Sequence, residues 1–241
     1  MKRDGDDLIR DIASYGSGGK RSYLSQQHIW SAGLFSRKAE ELESAATQPD
    51  RPLHPNRDHR AFVIGAVLDS MAYLEASINE VFADAAEGGD GRRGLTDDSR
   101  SRLMLIWQTT NSGRNLRILE KYEYALLAAQ KSPLKKGVAV YDNASCLVAL
   151  RNALVHYSPE WHYLGHAGPK TQWERHHLER ALSGKFTHNR LADACLPFFP
   201  DKCLGSGCAK WSVDSARAFY DGFREEMGLP PDRASEVFEW V

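Results

Sequence analysis

Residues 58 to 86 hold the strongest apolar periodicity of the chain. Phe62, Val63, Ala66, Val67, Met71, Leu74, Ile78, Val81 and Phe82 recur there at intervals of one, three and four. On a helix these side chains cover a wide face, so the segment is predicted to be the central helix of a bundle. Glu75 falls on that face between Met71, Ile78 and Phe82, with Asn79 one turn later. A carboxylate there needs a partner, because an unpaired buried charge is costly.

The flanking segments repeat the pattern. From Ser25 to about Thr47, Ile29, Trp30, Leu34, Phe35 and Leu42 keep helical spacing, with Ser25 as predicted N-cap. Pro49, Pro52 and Pro55 end that helix. After the glycine-rich run at 87–94, Thr96 or Asp97 can cap a third helix through Leu103, Ile106, Trp107, Leu116, Leu119, Tyr122 and Leu126. Asn111-Ser112-Gly113 can kink or interrupt it. A turn at 132–137 leads to a fourth helix, from about Asp142 to Tyr157. A last helix, from about Cys208 to Met227, puts Trp211, Val213, Ala216, Phe219, Tyr220 and Phe223 on one side, with Gly228 as C-cap. No strand pattern is present. The predicted class is all-α: an up-and-down bundle of four to five helices with a long loop-rich insertion before the last. Residues 1–24 read as a flexible tail with a short helix at Leu8 to Ser14. Residues 25–228 form the bundle, 158–206 the insertion with one short helix at Thr171 to Leu182, and 229–241 a C-terminal appendage.

Composition excludes several classes. The chain has 241 residues, 42% of them hydrophobic, enough for one sizeable core. A formal net charge of -1 provides no global basic field, so any contact with nucleic acid must be local. Met1-Lys2-Arg3-Asp4-Gly5-Asp6-Asp7 carries acids where a signal peptide needs an apolar run. No window approaches the ~18 apolar residues of a membrane span, and a cytoplasmic protein without membrane contact is expected. The run Gly16-Ser17-Gly18-Gly19-Lys20-Arg21 lacks the spacing of a phosphate loop. Cys146, Cys195, Cys203 and Cys208 read as thiols. A zinc site from Cys195, Cys203 and Cys208 with His176, His177 or His188 would fall at the edge of known spacings, so no metal and no cofactor is expected.

The chemistry-bearing stretch is Leu150 to Tyr157, where Arg151, Asn152 and His156 stand near the end of an apolar helix that stops at Ser158-Pro159. The pattern Leu-Arg-Asn-x-x-x-His resembles the signature of HEPN domains, the "higher eukaryotes and prokaryotes nucleotide-binding" helical bundles. Glu75-Ala76-Ser77-Ile78-Asn79-Glu80, Leu119-Glu120-Lys121-Tyr122 and Ala209-Lys210-Trp211 are similar to stretches of uncharacterised bacterial HEPN-like proteins. The resemblance covers roughly residues 58–160 and 208–228. Arg-to-His spacing alone also occurs from Arg21 to His28, so Asn152 and the apolar helical context carry the match.

The resemblance implies a metal-independent endoribonuclease acting on RNA, in a toxin–antitoxin or defence setting. The residue types suit that activity. Histidine titrates near neutrality and can move the protons when a 2'-hydroxyl attacks its adjacent phosphate. Arginine offers a permanently charged fork to phosphate oxygens. His156 is thus expected to transfer protons, Arg151 to bind the phosphate and transition state, and Asn152 to orient the imidazole or the phosphate. Glu75, Asn79 and Tyr157 are candidate supports. Trp161, His162, Arg175, His176 and Arg180 of the insertion are candidate RNA contacts by stacking and charge. Asn152 and His156, at i and i+4, differ by only ~40° on a helix and share a face with Ser145, Ala149 and Ala153. Arg151 and His156 differ by about 140° and ~7.5 Å of rise. In the family the site is commonly built at a twofold interface, and this small face suits a homodimer through the motif helix. A structural reading stands beside each role: Arg151 paired with Glu75, and His156 against the helix dipole. The competing function is a non-catalytic interaction module, or a regulatory partner of a nucleotidyltransferase.

Overall fold

A computed structural model describes residues 22–46, 56–87, 94–159 and 177–230, which contain seven α-helices, one π-helical turn and no strand. In chain order these are α1 (Ser25–Ala46), α2 (Arg57–Glu87), α3 (Asp97–Thr109), α4 (Ile118–Ala128), α5 (Ala139–Val155), α6 (His177–Leu182), the π turn (Phe198–Lys202) and α7 (Ser206–Met227). The all-α bundle predicted from periodicity is the fold observed. The tail at 1–21, residues 160–176 of the insertion and the appendage from 231 lie outside the described residues.

Helix α2 is the axis, in contact with α1, α3, α4, α5 and α7. Its Val63, Ala66, Val67, Leu74 and Ile78 are fully buried. Each such valine, leucine or isoleucine removed from water contributes roughly 1.5–3 kcal/mol, so this one stripe outweighs any surface interaction in the fold. The same composition corrects the expectation that no segment approaches a membrane span. By length and composition α2 could cross a bilayer, and half of its apolar window is buried inside the bundle. A core helix surrounded on many sides is apolar for the same physical reason as a membrane helix.

Other predicted boundaries shift where a capping group was unseen. Ser25 is not the N-cap of α1: His28 bonds back to Leu24 O, and the cap oxygens come from Glu80 of α2. That carboxylate accepts from Leu24 N and Ser25 N at 3.0 Å each and from Ser25 Oγ at 2.6 Å. Thr96 caps α3 as expected, its Oγ1 accepting from Ser99 N at 3.2 Å. The single third helix is in fact two, because Asn111, Ser112 and Gly113 all adopt left-handed backbone angles, with φ of 54°, 54° and 73°. Helix α5 starts at Ala139 and ends at Val155, so His156 and Tyr157 lie just past its last turn. Gly228 closes α7 in the left-handed conformation expected of a C-cap glycine.

A polar knot lies in the interior. Glu43 of α1, only 1% exposed, accepts from His59 Nε2 of α2 at 2.9 Å and from Ser206 N, the first N–H of α7, at 2.6 Å. Its other oxygen accepts from Arg190 N and Nε, both at 3.0 Å. One carboxylate thereby joins α1, α2, the 183–205 connection and the start of α7, where the helix dipole also favours an anion. Two glycines let the connection press onto that helix start. A Cβ on Gly205 would stand 2.4 Å from Asn189 Cα, and one on Gly207 would stand 2.4 Å from Thr187 Oγ1.

Burial alone would raise the Glu43 carboxyl, but the bonds from His59, the Arg190 and Ser206 backbone and the Arg190 guanidinium outweigh it and hold the group at about 2. A depressed acid stabilises the fold above its unfolded value and loses that contribution as pH falls through the folded one. Wild-type stability in urea titrations should therefore decline as pH drops from about 5 toward 2, and Glu43→Gln should flatten that slope. At neutral pH, Glu43→Gln should cost about 3–5 kcal/mol, because Arg190 and two buried donors lose their anion.

Candidate functional site

Helix α5 buries Ala144, Leu147 and Leu150 at three-residue intervals and packs them toward α7 and α2. Its opposite side meets solvent through Ser145 and Asn152, with Ala149 and Ala153 half-buried at the border. Arg151 follows directly after the last core residue. Its guanidinium emerges half-buried and Nη1 donates to Asn152 Oδ1 at 2.9 Å. His156 is the C-cap, with φ -107° and ψ 34°, and its N–H bonds to Asn152 O at 2.9 Å. The imidazole is exposed, and its ring nitrogens carry no hydrogen bond among the described residues. Tyr157 is 49% exposed and its ring lies 6.2 Å from that of Phe199 in the π turn.

Arg151, Asn152 and His156 stand at one helix end; a side-chain hydrogen bond joins the first two, and none among the described residues joins either to the His156 ring. Of the two roles expected for Asn152, orienting the imidazole or the phosphate, the structure shows no bond to the imidazole; its side-chain oxygen holds the neighbouring guanidinium. This follows from reach, since an arginine beside an asparagine can fold its fork back onto the amide oxygen.

Glu75 and Asn79 do not join this site. Glu75 pairs with Lys121 of α4, and the same ammonium donates to Asn79 Oδ1 at 2.9 Å. Lys121 is 3% exposed, so its ammonium has to be satisfied from within the bundle, and the two α2 side chains supply its acceptors. The Arg151–Glu75 pairing is replaced by this contact, and α2 is pinned to α4. Trp161, His162, Arg175 and His176 lie outside the described residues, whereas Arg180 is exposed on α6. Cys146, Cys195, Cys203 and Cys208 are free thiols, with Cys203 and Cys208 buried. The Cys208 thiol is pushed well up by its Cys203 neighbour and by burial. Among the described residues no cluster of His, Cys, Asp and Glu could hold a metal ion.

Sequence reasoning missed a second polar locality. An open cleft of about 260 Å³ is lined by Asn56, Arg57, His59, Arg60, Asn189, Leu191 and Asp201. It lies over the Glu43–His59 pair, and Arg60 Nη2 closes one side on Asp201 Oδ1 at 2.8 Å. A signal existed: Glu43 stands four residues after Ala39 and His59 four before Val63, so both keep register with a buried face, as Glu75 did. The two localities share the π turn, since Tyr157 meets Phe199 and the cleft uses Asp201.

Fold and geometry together define an all-α helical bundle with a histidine–arginine–asparagine group displayed at one helix end. In comparisons with protein-family models, curated proteins and solved structures, nothing matches the chain.

Proposed function

We propose that the chain is a metal-independent endoribonuclease of the HEPN type, with its reaction centred on His156 and Arg151. The observation that supports this reading is the exposed His156 imidazole, without a hydrogen-bond partner among the described residues, at the same helix end as a guanidinium tethered by Asn152. An exposed imidazole with both ring nitrogens open to solvent is available to exchange protons. In the reaction the 2'-hydroxyl of one nucleotide attacks its own 3'-phosphorus and loses its proton, while the 5'-oxygen of the next nucleotide leaves and takes one up. The products are a 2',3'-cyclic phosphate and a 5'-hydroxyl. His156 moves protons in this exchange, Arg151 binds the phosphate oxygens as charge builds on them, and Asn152 keeps the guanidinium in position. The setting we propose is a cytoplasmic toxin or defence effector, with an antitoxin or nucleotidyltransferase as partner.

The site is completed by a second copy of the chain across the face of Ser145, Ala149, Asn152 and Ala153, so that two motif helices frame one cleft. A competing reading, a non-catalytic interaction module, draws on Val155 and Tyr157, which expose about half of their surface beside the motif.

Total RNA incubated with the protein in EDTA should be cleaved, and His156→Ala and Arg151→Ala should each slow cleavage by roughly 10²–10³-fold. Both side chains meet solvent, so thermal melting should change little. Equal behaviour of wild type and both folded variants would favour the interaction module. Light scattering at micromolar concentration should return the mass of a dimer, and a monomer alone would contradict the two-copy site.

A further inference from the structure

The cleft over the Glu43–His59 pair has an uneven supply of hydrogen-bonding atoms. Asn56 Oδ1 accepts from Asp58 N at 2.9 Å and His59 N at 3.1 Å, which leaves its Nδ2 uncommitted. Arg57 is exposed and forms no hydrogen bond or ion pair among the described residues. Arg60 commits one nitrogen to Asp201, and the rest of its fork is unused. Asn189 is satisfied on both sides, donating to Asp201 O at 3.0 Å and accepting from Leu191 N at 3.0 Å. The lining therefore offers two guanidinium groups and an amide against one remaining carboxylate oxygen, that of Asp201.

His59 adds an observation independent of this surplus. It is 2% exposed, yet it belongs to the lining of the cleft. Glu43 as a carboxylate can only accept, so the hydrogen of that bond sits on His59 Nε2. Nδ1, the other ring nitrogen, has no hydrogen bond among the described residues. With its hydrogen on Nε2 the neutral ring presents Nδ1 as an acceptor on the lining of the cleft, which the protonated oxygen of a phosphate monoester can meet. The first turn of the 31-residue α2 also lies here, and its dipole favours negative charge.

A tetrahedral anion with several acceptor oxygens fits this surplus of donors, and guanidinium forks match its geometry. Leu191 supplies an apolar wall for whatever the anion is attached to. We propose that this cleft binds a small phosphate monoester, with Arg57, Arg60 and Asn56 on the phosphate oxygens, His59 beside them and the esterified part against Leu191. The site is separate from the chemistry at Arg151 and His156 and stands whether or not the chain cleaves RNA. Asp201 acts as the internal competitor: it occupies part of Arg60 and opposes an incoming anion.

The test is calorimetric titration of the full chain with inorganic phosphate, a nucleoside 5'-monophosphate and the matching nucleoside, alongside NMR of the His59 ring. The monophosphate should bind saturably and more tightly than inorganic phosphate, with a shift of the His59 signals, and the nucleoside should not bind. Arg57→Ala should weaken binding about tenfold, the loss of one charge-assisted contact, without changing the melting temperature. Asp201→Asn should tighten it severalfold. Absence of saturable monophosphate binding, binding of the nucleoside as well as its monophosphate, unchanged affinity in Arg57→Ala, or weaker binding in Asp201→Asn would each overturn the proposal.

Discussion

The fold depends on where it places one negative charge. Glu43 is enclosed by three other parts of the chain, and hydrogen bonds reach it from α2, α7 and the connection between α6 and α7. An isolated carboxylate at that depth would be untenable by several kcal/mol. Satisfied as it is, the group fixes an arrangement that apolar packing alone would leave loosely defined, because hydrogen bonds are directional and the hydrophobic effect is not. The close approaches at Gly205 and Gly207 follow from the same requirement, since Arg190 reaches Glu43 only if its connection lies tight against the start of α7.

Lys121 completes this division of labour. By taking Glu75 and Asn79, it settles the polar groups of α2 within the bundle. Arg151 is then spared an ion pair with Glu75 and carries its charge to the surface, where Asn152 holds it. The polar side chains that join the helices are paired, with Glu43, His59 and Lys121 buried, whereas the guanidinium and imidazole of the motif meet solvent. That separation is what a site needs if its groups are to change partners during a reaction, because a residue locked into the core cannot exchange its hydrogen bonds without cost to the fold.

Much of the architecture was legible because apolar period is a direct record of burial. The 3.6-residue repeat of Phe62 to Phe82 identified the central helix, and Gly228 identified the end of α7 through its left-handed backbone. What stayed hidden were partners distant in sequence. Glu80 caps α1 from 55 residues away, Lys121 reaches Glu75 across 46, and Arg190 reaches Glu43 across 147. Local pattern says that a carboxylate on an apolar face needs a cation but cannot say which one, and Glu75, 43% exposed at the edge of that face, takes Lys121 in place of the expected Arg151. The motif was visible as spacing, while the hydrogen bond from Arg151 to Asn152 depended on rotamers that no spacing encodes. His59 escaped notice because a histidine in a helix's first turn reads as solvated unless its buried register is counted.

The central claim is that a 2'-hydroxyl is the nucleophile and His156 serves it. The most direct measurement compares an RNA oligomer with its fully 2'-O-methylated counterpart in EDTA, with the product ends identified by mass. The RNA should be cleaved to fragments ending in 2',3'-cyclic phosphate, or its hydrolysis product, and the methylated strand should stay intact. Cleavage of both strands, or of neither by protein shown to be folded, would contradict it.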